Sequence, residues 1–512
     1  MMRFVIRVLK VIFVLSTLTF IMLQVHLRTV PLAASSVNGV SLGVPNPSKV
    51  PNDFDGTPVA SAGDGIDSAG SNNNNNNGNG ELIKEPDDRL GPYAKDISQS
   101  KLGTVRALAN QRSAASGEET NRHGPTLDDV RESIEYNNAH NDVLNVEKYG
   151  PITNKTLVVV IQVHDRVRYL EKLVQSLAVT KHIEQTLLVF SHDFYSPEIN
   201  QLVKTINFTM VLQIFYPHSI QIFPDRFPGQ HPDDCAPDVG KAKAEQIKCN
   251  NWQHPDKYGH YRLARYTQIK HHWWWKMNFV FNGVPQLEYF TGWVVLLEED
   301  HFVSPDFVHV LRYTTDHKDE LCAECGVISL GVYLKSYGSY GTNINRLAIH
   351  PWFSSRHNMG LALNRQFWTK VQNCSKLFCT YDDYNWDWSL MRVNLNCFKP
   401  RLQVLFTKSP RVFHIGDCGV HHKCRAETSA KKVTTLLDSV SSQLYPDSLS
   451  VTERSRRMLK PPKENGGWGD VRDHELCLNN ARPALTLYDT TMTTTNGEDS
   501  LGSNGKQNRT VL

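Results

Sequence analysis

Three regimes of apolar and polar residues follow one another along the chain. The first is an uncharged run from Val11 to Leu27, broken only by Ser16, Thr17, Thr19, Gln24 and His26. Its length sits at the lower limit for a membrane-spanning helix, which needs about 17–25 residues. Phe4 to Leu9 can extend it, with the basic side chains reaching back to the interface. Arg3, Arg7 and Lys10 flank it on the N-terminal side, so the positive-inside rule leaves the N-terminus cytosolic and everything downstream lumenal. A cleaved signal peptide ending near Pro31-Leu32-Ala33-Ala34-Ser35 is the competing reading. The second regime, from Arg28, has no periodicity. It holds Pro45-Asn46-Pro47-Ser48 and an Asn run from Asn72 to Asn77, a composition that buries too little apolar surface to offset the entropy of ordering. The reading is a cytosolic stub at 1–10, a signal anchor at 11–27 and a flexible stem at 28–147, with Asp128 to Asn145 more helix-like than the rest. A folded lumenal domain at 148–482 and a disordered tail at 483–512 complete the division.

The third regime is that folded domain. Thr156 to Val163 is a nearly continuous apolar run ending in His164-Asp165-Arg166; Tyr169, Leu170, Leu173, Val174 and Leu177 then recur at helical spacing. Thr186 to Phe190 is a second buried-type strand, ending in Ser191-His192-Asp193, and Val211 to Phe215 is a third. Strand, amphipathic helix and strand in succession predict an α/β fold with a parallel sheet covered on both faces. Open sheets of this kind bind ligands at the carboxyl ends of their strands. No GxGxxG joins the first strand to its helix, which argues against a dinucleotide, and Arg166 at that turn can instead face a diphosphate.

Trp293 to Leu297 forms a further strand and releases Glu298-Glu299-Asp300-His301 at its tip. In an extended chain Glu298 and Asp300 share a face, with Glu299 opposite. Carboxylates gathered at the end of a buried strand call for a positive partner, and oxygen ligands suit Mn²⁺ or Mg²⁺. A solvated acidic turn is the plainer alternative.

The composition narrows the class. The 512 residues carry 55 basic and 52 acidic side chains, a formal charge of +3, without the basic excess of a nucleic-acid binder. All 10 Trp and all 10 Cys fall between Cys235 and Cys477. An even cysteine count in a secretory compartment reads as disulfides; Cys322-Ala323-Glu324-Cys325 has no second pair at zinc-finger spacing. The sequons Asn154, Asn207, Asn373 and Asn508 lie on the lumenal side. Asn154 and Asn207 are the candidates for glycosylation, because Cys374 inside the third is expected to be bridged.

Leu297-Glu298-Glu299-Asp300 resembles the acidic strand-end motif of GT-A-type nucleotide-sugar glycosyltransferases. The strings His271-His272-Trp273-Trp274-Trp275-Lys276, Tyr381-Asp382-Asp383-Tyr384-Asn385-Trp386-Asp387-Trp388, His414-Ile415-Gly416-Asp417-Cys418-Gly419-Val420-His421-His422 and Gly466-Gly467-Trp468-Gly469-Asp470-Val471-Arg472-Asp473-His474-Glu475-Leu476-Cys477 resemble the N-acetylglucosaminyltransferase II family. The resemblance runs in order from about Thr156 to Cys477. It implies that 148–482 is a GT-A-type (Rossmann-like) catalytic domain, a mixed sheet flanked by helices, held by its anchor in the Golgi membrane. The implied reaction is inverting transfer of N-acetylglucosamine from UDP-N-acetylglucosamine to the 2-hydroxyl of the α-1,6-arm mannose of N-glycans, in β-1,2 linkage. Hybrid glycans would thereby become complex ones.

The same resemblance implies roles for individual residues. Asp300 and His414 are the expected Mn²⁺ ligands and Asp387 the catalytic base, its pKa raised by the flanking Trp386 and Trp388. Donor binding is expected from Gln162, Val163, His164, Asp165, Arg166, Asp193, Gln268, Ile269, Lys270, His271, His272, Glu298 and Glu299. Asp165 and Ile269 stand where the family leads one to expect Asn and Thr. The implied disulfides are Cys235–Cys249, Cys322–Cys325, Cys374–Cys397, Cys379–Cys477 and Cys418–Cys424. Asp382 and Asp383 read as caps of a following helix. Trp273 to Trp275 read either as buried helix packing or as a face for the acceptor mannose. Rival functions are a β-1,2-N-acetylglucosaminyltransferase acting on the α-1,3 arm or on O-linked mannose, a membrane-tethered lectin without turnover, and a metal-dependent hydrolase. A homodimer is compatible with the sequence but not specified by it.

Overall fold

A computed structural model describes residues 92–99, 124–334, 336–416, 426–457, 460–461 and 463–482. The expected stub, anchor and tail, Asn508 and the Cys418–Cys424 pair lie outside the described residues. Among the described residues, no helix is long and apolar enough to cross a membrane.

Eleven strands are present among the described residues: β1 (Leu157–Val163), β2 (Thr186–His192), β3 (Met210–Phe215), β4 (Trp293–Glu298), β5 (His301–Val303), β6 (Cys325–Ser329), β7 (Arg346–Pro351), β8 (Leu361–Asn364), β9 (Gln403–Thr407), β10 (Val412–His414) and β11 (Ser450–Arg454). Nine of them form one sheet in the order β11-β7-β9-β6-β8-β4-β1-β2-β3. The expected parallel unit is β3-β2-β1-β4. The sheet becomes mixed at β8, which runs antiparallel to both β4 and β6. β5 and β10 pair separately as a short antiparallel ribbon, with His414 opposite His301.

The parallel strands read as unbroken apolar runs because both faces are covered. Val158 and Val160 join one core and Val159 and Ile161 the other, the period-2 alternation of a strand with no solvent face. The principal helices are α1 (Pro92–Gln99), α2 (Leu127–His140), α3 (Val167–Ala178), α4 (Ala264–Asn282), α5 (Phe307–Asp316), α6 (Trp386–Asn396), α7 (Ala426–Ser439) and α8 (Val471–Asn479). Helices α3 and α5 supply one cover, α4 the other.

The folded body begins earlier than Lys148. Thr126 and Asp129 form a capping box at the start of α2, and Val130, Ile134 and Asn138 are buried beneath it. The Asn138 amide pairs with the end of β3, accepting from the Phe215 N–H at 2.8 Å and donating to the Phe215 carbonyl at 2.6 Å. Within the stretch expected as stem, α1 also packs on the body. Tyr93 is buried, its hydroxyl donates to the Val303 carbonyl at 2.8 Å and its N–H donates to Asp438.

Trp273, Trp274 and Trp275 on α4 are at most 3% exposed, which removes them as a face for a sugar. Trp273 stacks on Trp386 with ring centres 4.4 Å apart, and Trp274 on Phe378 at 4.3 Å. The C-terminal segment closes over this cluster. Trp468 is fully buried, donating to the Cys379 carbonyl at 2.7 Å. Asp382 and Asp383 accept from the Trp468 and Asn465 N–H groups. Both therefore pin the C-terminal segment, and Asp383 also accepts from the N–H of Asn385, the N-cap of α6, at 2.9 Å, whereas Asp382 makes no bond to that helix start. Disulfides Cys235–Cys249, Cys322–Cys325, Cys374–Cys397 and Cys379–Cys477 are formed, and no free cysteine remains among the described residues.

Candidate active site

The site is assembled where β1, β2 and β4 end side by side. Gln162 stands in register with Ser191 on β2 and Glu298 on β4. Beyond the strands, the Glu299 N–H donates to the Gln162 carbonyl at 3.0 Å. The Glu299 carboxylate accepts from the His164 N–H at 2.7 Å and from Arg166 Nε at 2.6 Å. Arg166 also donates to Asp300 Oδ2 at 2.9 Å. The Arg166 side chain is 44% exposed, while those of Glu299 and Asp300 are at most 4% exposed, so one guanidinium holds two buried carboxylates from the solvent side.

Asp193 is the second junction. His164 Nδ1 lies 2.6 Å from its Oδ1, and His272 Nδ1 lies 3.4 Å from its Oδ2. The hydrogen bond to Asp193 pushes His164 up to about 9, keeping it cationic at neutral pH. Burial alone would raise Asp193, but the two imidazoles hold it well below the usual carboxylate range. His272 is buried on α4 and binds Ser191 Oγ through Nε2 at 2.8 Å.

At the tip of β4 the expected metal ligands meet. His414 Nε2 lies 3.1 Å from Asp300 Oδ2, because the β5–β10 ribbon brings the residue after Phe413 over the carboxylate. Gly416 is required there: a Cβ would fall 2.2 Å from Asp300 Oδ2. Asp300 Oδ1 is buried without a hydrogen-bond partner among the described residues, an orphaned acceptor of the kind a cation satisfies. Burial opposes ionisation of Asp300, and the His414 hydrogen bond and the neighbouring cations override it, holding the carboxyl low. Glu298, Asp300 and His301 also place ligand atoms within 4.8 Å of one another. His301, however, spends Nδ1 on the Glu298 N–H at 3.1 Å. Its neutral form therefore carries the proton on Nε2, and burial pushes the imidazole down to about 4. That tautomer offers no lone pair to an ion, which leaves Asp300 and His414 as the fitting pair, with Glu298 beside them.

Asp387 lies in the first turn of α6. Its carboxylate accepts from the Trp388 N–H at 2.9 Å and from Asn358 Nδ2 at 3.3 Å. Burial, then repulsion from Asp383 and Glu298, pushes it up to about 7. A carboxylate tuned to that range suits proton abstraction near neutral pH.

Not every expected residue reaches the strand tips. Gln268 accepts from the Ile220 N–H at 2.6 Å. Lys270 donates to the Tyr381 and Asp383 carbonyls and lies 4.1 Å over Trp468. His271 binds Asp473 at 2.9 Å, and Ile269 is partly buried. Of the stretch Gln268 to His272, only His272 bonds to a strand end. Five consecutive helical residues span more than a full turn and cannot share one face. Val163 is buried in the sheet core, and Asp165 is 58% exposed. Asn154 and Asn207 are exposed, as glycosylation requires. Lys276, Asn358, Gly416 and His301 were not picked out from the sequence. The acidic strand end signals a need for a buried cation, but only the fold names Lys276 as a supplier.

The family model for N-acetylglucosaminyltransferase II (MGAT2) matches residues 131–477, from within α2 to the second cysteine of the Cys379–Cys477 bridge. The chain is 45% identical over 335 residues to a Sus scrofa protein named alpha-1,6-mannosyl-glycoprotein 2-beta-N-acetylglucosaminyltransferase, covering 65% of this chain and 75% of that one. The Homo sapiens protein of the same name is 45% identical over 336 residues, with the same coverage of each chain. An Arabidopsis thaliana protein of that name is 30% identical over 358 residues, 67% of this chain and 78% of that one.

Proposed function

The chain belongs to the N-acetylglucosaminyltransferase II family and is a glycosyltransferase, and we propose that it uses UDP-N-acetylglucosamine and Mn²⁺ to carry out the family's transfer. N-acetylglucosamine is added in β-1,2 linkage to the α-1,6-arm mannose of N-glycans, with inversion, as hybrid glycans mature to complex ones. The observation that carries the chemistry is the facing pair Asp300 and His414, with an orphaned Asp300 oxygen, at the end of a strand beside Gln162, His164, Arg166 and Asp193.

Mn²⁺ held by Asp300 and His414 would supply neutralising charge for the UDP leaving group. His164 and Arg166, both cationic, frame the crevice on the β1 side and are suited to phosphate oxygens. Asp387 removes the proton from the mannose 2-hydroxyl as its oxygen forms the bond to the anomeric carbon and the bond to UDP breaks. One displacement inverts the centre and needs no covalent nucleophile. Asn358 and the Trp388 N–H orient the Asp387 carboxylate. Glu299 anchors Arg166 and the His164 backbone. We propose that this domain works in the Golgi lumen, as the family resemblance implies, with the basic-flanked apolar run at 11–27 as the signal anchor of a type II membrane protein and 28–147 as its stem.

The test is to incubate the full-length chain, in detergent, with UDP-N-acetylglucosamine, Mn²⁺ and an N-glycan already carrying N-acetylglucosamine on its α-1,3 arm. The expected product has a new β-1,2 residue on the α-1,6-arm mannose, assigned by NMR and lost on chelation. Transfer only to the α-1,3 arm or to O-linked mannose would replace the acceptor assignment. Transfer that survives chelation would remove the metal.

A further inference from the structure

Lys276 sits in the middle of α4, 1% exposed, beneath the ends of β1, β2 and β4. A buried ammonium is costly unless opposite charges and hydrogen bonds surround it. Burial pulls the Lys276 amine down to about 7, and Glu298 and Asp193 supply the negative charge that works against it. The hydrogen bond goes elsewhere: Nζ donates to Gln162 Oε1 at 2.6 Å. This contact fixes something that coordinates alone leave open. The carbonyl end of the Gln162 amide faces Nζ and accepts from it, the one arrangement open to the protonated amine, which has donors and no acceptor. The amide nitrogen is therefore turned away from Lys276. Gln162 is partly exposed at the strand end, in the crevice where an open α/β sheet receives its ligand.

We propose that Lys276 is a positioning residue that locks the Gln162 amide with its N–H groups toward the donor, so that the site selects a nucleobase edge bearing a carbonyl oxygen. The inference rests on the nucleotide-sugar reading above and adds its base specificity. Uracil offers O4 as an acceptor at the position where cytosine offers an amino donor. With the amide locked, uracil is accepted and cytosine meets donor against donor. Without Lys276 the amide is free to flip and present its own carbonyl, and the discrimination fades.

A plainer role for Lys276 is to balance the charge of Glu298 and Asp193. UDP and CDP separate the two roles, because they carry the same phosphates and the same charge. Dissociation constants for both are measured by calorimetry on the full-length chain with Mn²⁺, for wild type, Lys276→Met, Gln162→Leu and the double variant. Wild type should favour UDP. Lys276→Met and Gln162→Leu should each reduce the UDP-to-CDP preference by about tenfold, the worth of one buried hydrogen bond, and the double variant should do no more than either. Equal weakening of both nucleotides in Lys276→Met, with the ratio kept, would overturn the proposal and leave charge balance alone. Should Lys276→Met fail to fold, Gln162→Leu decides: an unchanged ratio there overturns the proposal as well. A wild-type chain that binds neither nucleotide would instead strike the donor reading itself.

Discussion

Asp473 and Asp300 are both buried carboxylates beside an arginine and a histidine, and they are used in opposite ways. At the C-terminal clamp, Asp473 accepts through both oxygens, from Arg262 Nε at 2.9 Å and from His271 at 2.9 Å. Arg262 is equally enclosed and gives its remaining donors to the Gly229 and Pro228 carbonyls and Thr267. At the strand tips, Asp300 meets Arg166 and His414 through Oδ2, and Oδ1 has no partner among the described residues. Both oxygens of the clamp carboxylate are engaged, although Nδ1 of His271 is left without a partner among the described residues; at the tip it is the carboxylate itself that keeps bonding capacity in reserve. Burial and charge thus do not separate a structural carboxylate from a functional one, whereas completeness of partnering does. Neighbours on one helix serve both regions. His271 turns to the clamp and His272 to Asp193, as the rotation of about 100° per helical residue dictates.

This comparison can be broken at several points. The largest effect is expected at Asp387→Asn, which should cut kcat by about 10²–10⁴-fold, the usual worth of a general base, while UDP and Mn²⁺ still bind. Retained turnover in a steady-state assay would remove Asp387 from the chemistry. Next, Asp473→Ala leaves the buried Arg262 with only the longer ion pair to Asp234 at 3.8 Å, so denaturant unfolding should report a loss of about 3 kcal/mol, the lower end for a broken buried pair. The donor affinity of the molecules that remain folded should not change; a matching loss of affinity would mean that clamp and site are one unit. His414→Ala should weaken Mn²⁺ by about 10–100-fold, at least as much as loss of an outer partner costs. An unaltered manganese titration would exclude it as a ligand.

The pH dependence is subtler. Asp387 has a folded pKa near 7, above the 3.8 of an unperturbed Asp, so the folded state binds the proton more tightly than the unfolded one. Its contribution to stability is complete below about pH 4 and is lost as pH rises toward 7. Activity runs the other way, since the ionised form is the base: kcat/KM should rise through a limb centred near pH 7. Asp387→Asn should flatten that stretch of the stability profile, and an unchanged slope would contradict the raised value. The smallest effect belongs to the exposed pair Lys408–Glu453, at 2.9 Å. Lys408→Ala should shift unfolding by less than about 1 kcal/mol.

The sequence revealed most where one physical cause dominates. The parallel strands were legible because burial on both faces leaves unbroken apolar runs, and their polar tips stood out against those runs. Asp387 was legible as a carboxylate between two tryptophans, and the ribbon does bring His414 to Asp300 as the family resemblance implied. What stayed hidden depends on contacts between distant segments. The antiparallel entry of β8 beside β4 leaves no mark on either strand's pattern. Asp382 and Asp383 read as caps because acidic residues preceding a helix usually are; Asp383 does bond the Asn385 N–H, but the partners that the local sequence hides, Trp468 and Asn465, lie more than eighty residues away. Lys270, Ile269 and Gln268 were grouped with His272 by adjacency, and helical geometry separated them. Lys276 was read as part of an aromatic string, and only the packed fold places its ammonium under Gln162.

The Cys379–Cys477 bridge, spanning 98 residues, alters how the chain responds to being cut. The segment after β11 is exposed and basic, with Arg456, Arg457, Lys460 and Lys463 open to solvent, and it lies inside the covalent loop. A trypsin-like nick there produces two fragments that remain one molecule, with Trp468 and α8 still stapled against the tryptophan cluster. Such a protein runs at full mass on a non-reducing gel and separates only when reductant is added. The loop is long enough that, in the chain-entropy account, its closure is worth on the order of 4 kcal/mol. For this fold, continuity of the backbone and continuity of the structure are therefore separable properties, and a severed chain can still present an assembled site.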